Sequence, residues 1–379
     1  MKACRVCGAE SREPVYAAES PGITSLATIL AVPTSVYLCA SCGHAQSPNL
    51  PDVRRFYDTE YQISAASSDH DQLYSVENGR PVYRTDRQAE VVLDLLDLPK
   101  GARILDFGAA KAATLRKILS SRPDIEGSVF DVSNSYQAYW RSWLDADRCA
   151  THEIPSSWTG RFDAVTAHYV LEHVVAPVEV VKRMRLLLRP GGKLFLSVPD
   201  PIANPGDLLV VDHLNHFAPR SLTLVLEEAG CRMEMLERSV LASALVVVAT
   251  SEKRASLFAV AEDSGEDMAA LCETWRRLQH NLKAVARAKS GIPTAIYGAG
   301  FYGTWIASVI RTESNLVCFV DQNPHLQNAN HLELPVLAPN ELPQSVKVVF
   351  AGLNPRLSRA ILAQSPWTSD RSVEIFHLD

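Results

Sequence analysis

Between residues 101 and 251 short apolar runs alternate with helical repeats, and this alternation limits the possible folds more than any other feature of the 379-residue chain. Apolar runs bounded by turn residues read as buried strands at 103–107, 127–131, 148–151, 162–168 and 193–199, and spaced apolar positions read as helices at 112–121, 177–188 and 219–229. Strand followed by helix, repeated, demands a parallel sheet covered on both faces. Two more strands, near 231–239 and 244–250, follow one another with no helix between, so one strand should run antiparallel. The expectation is an α/β fold with a seven-stranded doubly wound sheet whose ligand lies beyond the carboxyl ends of the strands.

Several polar residues fall at that edge. In ILDFGAAKAATL, residues 104–115, a buried strand runs into a small-residue turn and a helix, which places Asp106 and Gly108 where a helix N-terminus meets a ligand. Asp131 closes the second strand and can accept hydrogen bonds from both hydroxyls of a ribose. Ser133 beside it is a contact or a helix cap. Glu153 lies near the adenine end of such a site, and the run FDAVTAHYVLEH brings His168, Tyr169, Glu172 and His173 to the same edge.

The first 55 residues read as a separate zinc ribbon. Cys4 and Cys7, then Cys39 and Cys42, form two C-x-x-C-G knuckles with 31 residues between them, and four thiolates so spaced suit a structural Zn2+ with no open coordination position. The formal charge of -6 without a basic run argues against a nucleic-acid or membrane surface, and no apolar run reaches the ~18 residues of a membrane span. A cytoplasmic chain acting on a small molecule, as monomer or homodimer, is expected. Residues 56–251 would form the main domain, entered through a lid rich in tyrosine that offers Tyr61 to a substrate. Residues 252–290 read as one connecting helix. Residues 291–379 repeat the strand-turn-helix pattern as a Rossmann-like C-terminal domain, in which Gly298, Gly300 and Gly303 give G-x-G-x-x-G between strand and helix, with Asp321 ending the next strand.

The run from 162 to 199, with its LEH after a strand and PGG before the next, resembles class I S-adenosylmethionine-dependent methyltransferases. The whole arrangement of zinc ribbon, tyrosine-rich segment, sheet and second α/β domain is similar to the sugar C-methyltransferases that act on nucleotide-linked keto-deoxysugars. That resemblance implies S-adenosylmethionine as cofactor and a nucleotide sugar as substrate. It also implies a histidine base that removes the proton beside the keto group, a task suited to a group titrating near neutrality. His173 and His213 stand where that family places its site histidines, Asp212 stands for the family's glutamate, and the family's tyrosine falls at Val210; His216 is a further candidate. Tyr302 replaces a lysine in the second glycine turn, where Gly298, Gly300 and Tyr302 would contact substrate.

One stretch departs from the pattern. The family's glycines fall at Ala110 and Ala112. A left-handed alanine costs about 1–2 kcal/mol, and its methyl group would take up ligand space, so an altered cofactor grip is expected. Two other readings follow: a methyltransferase-like binding or scaffold subunit, and an NAD(P)-dependent enzyme built on the C-terminal glycine turn.

Overall fold

A computed structural model describes residues 2–11, 13–61, 71–77, 80–251, 265–363 and 373–379. Two compact units interleave along the chain: residues 1–12, 39–200 and 214–265 form one, and residues 13–38, 201–213 and 266–379 form the other.

The main sheet of the first unit has seven strands: β1 (Arg103–Phe107), β2 (Glu126–Asp131), β3 (Cys149–Thr151), β4 (Phe162–His168), β5 (Leu188–Pro199), β6 (Arg232–Glu237) and β7 (Ala244–Thr250). Their order is β3-β2-β1-β4-β5-β7-β6. Only β7 runs against its neighbours, pairing antiparallel with both β5 and β6. This is the doubly wound sheet with one reversed strand, and the switch point falls between β1 and β4. Alternate side chains serve opposite cores: Val165, Ala167, Leu194 and Leu196 face one way, and Ile104, Ala164, Phe195 and Val246 the other. Helices α1 (Arg84–Leu95), α2 (Ala113–Ser121), α3 (Pro177–Leu187) and α4 (Pro219–Glu228) cover the faces. The PGG stretch, expected as a turn before β5, is a bulge within it: pairing with β4 jumps from Phe162↔Leu188 to Ala164↔Lys193.

In the second unit an antiparallel hairpin (Tyr16–Ile23 and Ile29–Leu38) accompanies helices α5 (Glu266–Ala288) and α6 (Phe301–Ile310). Its strands are β8 (Pro293–Tyr297), β9 (Asn315–Val320), β10 (Asn330–His331), β11 (Leu334–Leu337), β12 (Val348–Ala351) and β13 (Glu374–Phe376), in the order β10-β11-β9-β8-β12-β13. Residues 252–264, the first part of the expected connecting helix, and residues 62–70 of the tyrosine-rich segment lie outside the described residues. Among the described residues no helix is long and apolar enough to cross a membrane.

Candidate functional site

At the carboxyl end of β1 the chain makes three left-handed residues in five. Gly108 (φ 73°), Ala110 (φ 45°) and Ala112 (φ 57°) all have positive φ, so the alanines hold the conformation for which glycine is the usual residue. Anchors on every side enforce it. Phe130 O accepts the amides of Gly108 and Ala109 at 2.8 and 3.1 Å. Asp131 Oδ2 accepts the Ala110 N–H at 2.9 Å, and the Trp140 indole N–H donates to Ala110 O at 2.7 Å. The alanine methyls do not stand in ligand space as expected from sequence. Ala112 is 1% exposed within the cluster of Leu115 and Ile118, and Ala110 packs against the same cluster.

Relief of left-handed strain, about 1–2 kcal/mol per residue, therefore opposes loss of buried methyl contacts, about 1 kcal/mol each. Glycine at both positions is expected to leave S-adenosylmethionine affinity within about threefold and stability within about 1 kcal/mol. Calorimetric titration and thermal melts check this, and a tenfold tightening would mean that the methyls obstruct the ligand.

Asp131 is buried, its carboxyl pushed up by that burial, and its other oxygen accepts the Ser133 N–H at 2.9 Å. Each oxygen keeps a second lone pair, so the carboxylate that braces the turn can also receive ribose hydroxyls. Asp106, buried under the turn, accepts from the Thr166 hydroxyl at 3.1 Å, and desolvation pushes its carboxyl up to about 7. An acid raised from 3.8 to about 7 keeps its proton when folded and loses it when unfolded, so its contribution to stability is lost as pH rises through that window. Asp106→Asn should accordingly raise the melting temperature at pH 8.5, with a gain that shrinks toward pH 5.

The turn Phe56–Glu60 crosses this edge. Ser133 Oγ donates to Asp58 O at 3.0 Å and the Tyr136 hydroxyl to Tyr61 O at 3.4 Å, while the Tyr57 hydroxyl lies 2.8 Å from His173 Nδ1. The rings of Tyr57 and Tyr61 each stand 5.3 Å from the His173 ring. This segment thus joins the end of β2 to the turn after β4 (Leu171–His173), the two strands that flank β1 in the sheet. Tyr57 and Trp140 went unnoticed in the sequence. Tyr57 lies one helical turn before Tyr61, a spacing that could have found it.

The other expected residues have different surroundings. His168 lies on the Phe195 side of the sheet, 5.2 Å from that ring, with Nδ1 3.2 Å from Ser197 Oγ, and burial pulls its imidazole down to about 3. Tyr169 (φ 55°) turns its ring against the Arg84 guanidinium, 3.8 Å away. Glu172 is buried, and its carbonyl accepts the Leu214 N–H at 2.6 Å. Glu153 is exposed just past β3. His216 is fully buried, with Nε2 2.9 Å from Ser47 Oγ, in a strand pair between 45–46 and 215–216.

The four cysteines do converge. Their sulfurs lie within 4.8 Å of one another, Cys4 to Cys42 at 3.6 Å and Cys7 to Cys39 at 3.5 Å. Four ligands at 2.3 Å from a tetrahedral ion stand about 3.8 Å apart, so the set fits zinc. Gly8 and Gly43 have φ of 75° and 71° and close the two knuckles by donating to Cys4 O and Cys39 O. The Cys42 thiol donates to Cys4 and holds that sulfur well below the usual thiol range, a negative site ready for a cation. His44 is no ligand. It is buried, pulled down to about 3 by desolvation, and its Nε2 bonds Asn215 Oδ1 at 3.3 Å.

In the second unit Asp212 is fully buried and takes both the amide and the hydroxyl of Ser25 at 2.7 Å. His213 Nδ1 lies 2.5 Å from Asp207 Oδ1, a partner the sequence reading missed. Around Gly298 and Gly300 the second glycine turn copies the first: Asp321 accepts the amides of Ala299 and Asn323, both at 2.8 Å, as Asp131 accepts those of Ala110 and Ser133.

Residues 83–236 match the family model described as a methyltransferase domain. A ubiquinone biosynthesis O-methyltransferase of Xanthomonas axonopodis pv. citri (strain 306) is 30% identical over 104 residues, 26% of this chain and 44% of the relative. Its counterpart in Xanthomonas oryzae pv. oryzae (strain PXO99A) is 32% identical over 107 residues, 27% and 44% of the two chains. The chain thus spans less than half the length of the curated relatives it matches. Among solved structures, an S-adenosylmethionine dependent methyltransferase from Mesorhizobium loti superposes with a TM-score of 0.35 at 17% identity, covering 43% of this chain and 97% of that one. The sheet order and the matched family model agree in likening residues 83–236 to a methyltransferase domain.

Proposed function

We infer that the chain transfers the methyl group of S-adenosylmethionine to a nucleotide-linked keto-sugar or a similar small polar metabolite, with His213 as general base. The observation that carries the base is the 2.5 Å contact between His213 Nδ1 and Asp207. A carboxylate there accepts Nδ1–H, fixes the ring, and selects the tautomer whose basic lone pair is on Nε2. S-adenosylmethionine, when bound, supplies an electrophilic methyl group. Asp131 would receive its ribose, the amides of the left-handed turn would face its polar end, and Tyr57 and Tyr61 would cover it and exclude water. His213 takes the proton from the carbon beside the keto group. With that proton held by His213, the carbon beside the keto group would carry the electron pair that accepts the methyl group, the thioether being the leaving group.

The intact left-handed turn supports an enzyme over a scaffold that has lost its cofactor. The curated relatives are named as O-methyltransferases, so an oxygen acceptor is the competing chemistry. Titration calorimetry with S-adenosylmethionine comes first, and absence of heat at millimolar ligand would sink the reading. Release of S-adenosylhomocysteine is then followed across nucleotide-linked keto-sugars and phenolic acceptors; turnover with the phenols alone would move the methyl to oxygen.

A further inference from the structure

Residues 201–213 carry both members of the Asp207–His213 pair, and the stretch just before Asp207 is gripped residue by residue. Asn354 Nδ2 donates to Ala203 O at 2.9 Å, and the Trp275 indole N–H donates to Pro205 O at 2.8 Å. The Tyr302 hydroxyl donates to Asn204 Oδ1 at 2.5 Å and accepts the Gly206 N–H at 2.9 Å. Three side chains, from α5, from the first turn of α6 and from the loop after β12, thus fix four consecutive residues. Tyr302 is 8% exposed and stacks on Trp275, ring centroids 6.1 Å apart at 30°. A Cβ at Gly206 would lie 2.7 Å from the Tyr302 ring, so only glycine lets the ring lie against this turn.

Tyr302 stands inside the second glycine turn, whose first and last glycines, Gly298 and Gly303, are explained by packing. A Cβ on Gly303 would lie 1.8 Å from Gly298 O, and one on Gly298 would lie 2.4 Å from Gly352 O, so both serve close strand-helix packing. The Tyr302 side chain between them is spent on the 204–206 turn.

We propose that Tyr302 is a positioning residue for His213: the glycine turn of the C-terminal unit holds the 203–206 segment, and through Asp207 it sets the ring and tautomer of the histidine. This rests on the reading of His213 as the base, but its test does not depend on turnover. A turn held at four successive residues leaves Asp207 one position from its last anchor, so its carboxylate has little freedom except toward Nδ1. Without the hydroxyl the Gly206 amide and Asn204 side chain lose a buried partner, which favours rearrangement of the turn.

The test is long-range proton–nitrogen NMR on the full chain labelled with 15N-histidine, with His213→Gln used to assign the resonance. In the wild type the 15N shifts of His213 should report one tautomer, protonated at Nδ1. In Tyr302→Phe, which keeps the ring and removes the hydroxyl, the tautomers should mix, with the minor form rising from under a tenth to about a third or more; Trp275→Phe should give an intermediate change. A purely structural role would lower the melting temperature while leaving the His213 shifts unchanged, and that result overturns the proposal. Should His213→Asn keep full turnover while Tyr302→Phe still mixes the tautomers, the base assignment falls and the coupling stands.

Discussion

Replacing Cys39 with serine, or treating the protein with a chelator, is expected to abolish zinc binding at the four thiolates and most of the hold on S-adenosylmethionine. Structural zinc in small Cys4 modules contributes on the order of 10 kcal/mol, and here the folded knuckles are wired to the cofactor edge. Arg5, between two cysteines, donates to Leu214 O, to Ser47 O at 2.8 Å and to Asn49 Oδ1 at 2.6 Å. His44, two residues past Cys42, donates to Asn215 Oδ1, and Asn215 Nδ2 in turn donates to Leu171 O at 2.9 Å and Val174 O at 2.7 Å. Those carbonyls bracket the turn bearing His173, which faces Tyr57 and so the segment that also meets the end of β2. Loss of the metal should release this relay from its first member. The expected results are one zinc per chain in the wild type, none in Cys39→Ser, a melting temperature lower by ten degrees or more, and S-adenosylmethionine affinity weaker by at least about tenfold. Asn215→Ala, which keeps all four thiolates, should retain zinc yet lose part of the affinity. Undiminished cofactor binding by the zinc-free protein would refute the relay.

What could be read along the chain was whatever depends on neighbours in sequence. Strand and helix alternation, the reversed last strand and the paired knuckles each follow from short-range periodicity or spacing, and each has its counterpart in the structure. Contacts between distant residues were not legible. Trp140 reaches Ala110 across 30 positions and Tyr57 reaches His173 across 116, and no local pattern shows which distant residue either one meets. The alanines show the same limit from the other side. Local propensity disfavours positive φ at 110 and 112, yet the amide and indole bonds around them outweigh about 1–2 kcal/mol of strain per residue. Asp207 was hidden for a third reason. It lies only six residues from His213, but a buried carboxylate within an apolar stretch reads as a loop residue until its partner is seen.

His213→Asn should lower turnover by about 10²- to 10⁴-fold, the range usual for removing a general base, while S-adenosylmethionine affinity stays within about threefold. Rates would be taken with whichever acceptor releases S-adenosylhomocysteine. Three histidines compete for the role, and their surroundings separate them. His216 is fully buried against Ser47 in the 45–46/215–216 strand pair, so His216→Asn should cost stability and leave the rate of the folded protein nearly unchanged. His173 faces the hydroxyl of Tyr57, so His173→Asn and Tyr57→Phe should act alike, and chiefly on cofactor affinity. His213 has a carboxylate at Nδ1, the arrangement that stabilises an imidazolium formed during proton abstraction. Asp207→Asn keeps an acceptor oxygen for Nδ1–H but removes the charge, so its rate should fall between those of the wild type and His213→Asn. Equal losses in Asp207→Asn and His213→Asn, with Asp207→Asn folded and cofactor-bound, would make the pair a single unit in the sense that neither works without the other. Wild-type turnover in His213→Asn would remove the base from this position altogether.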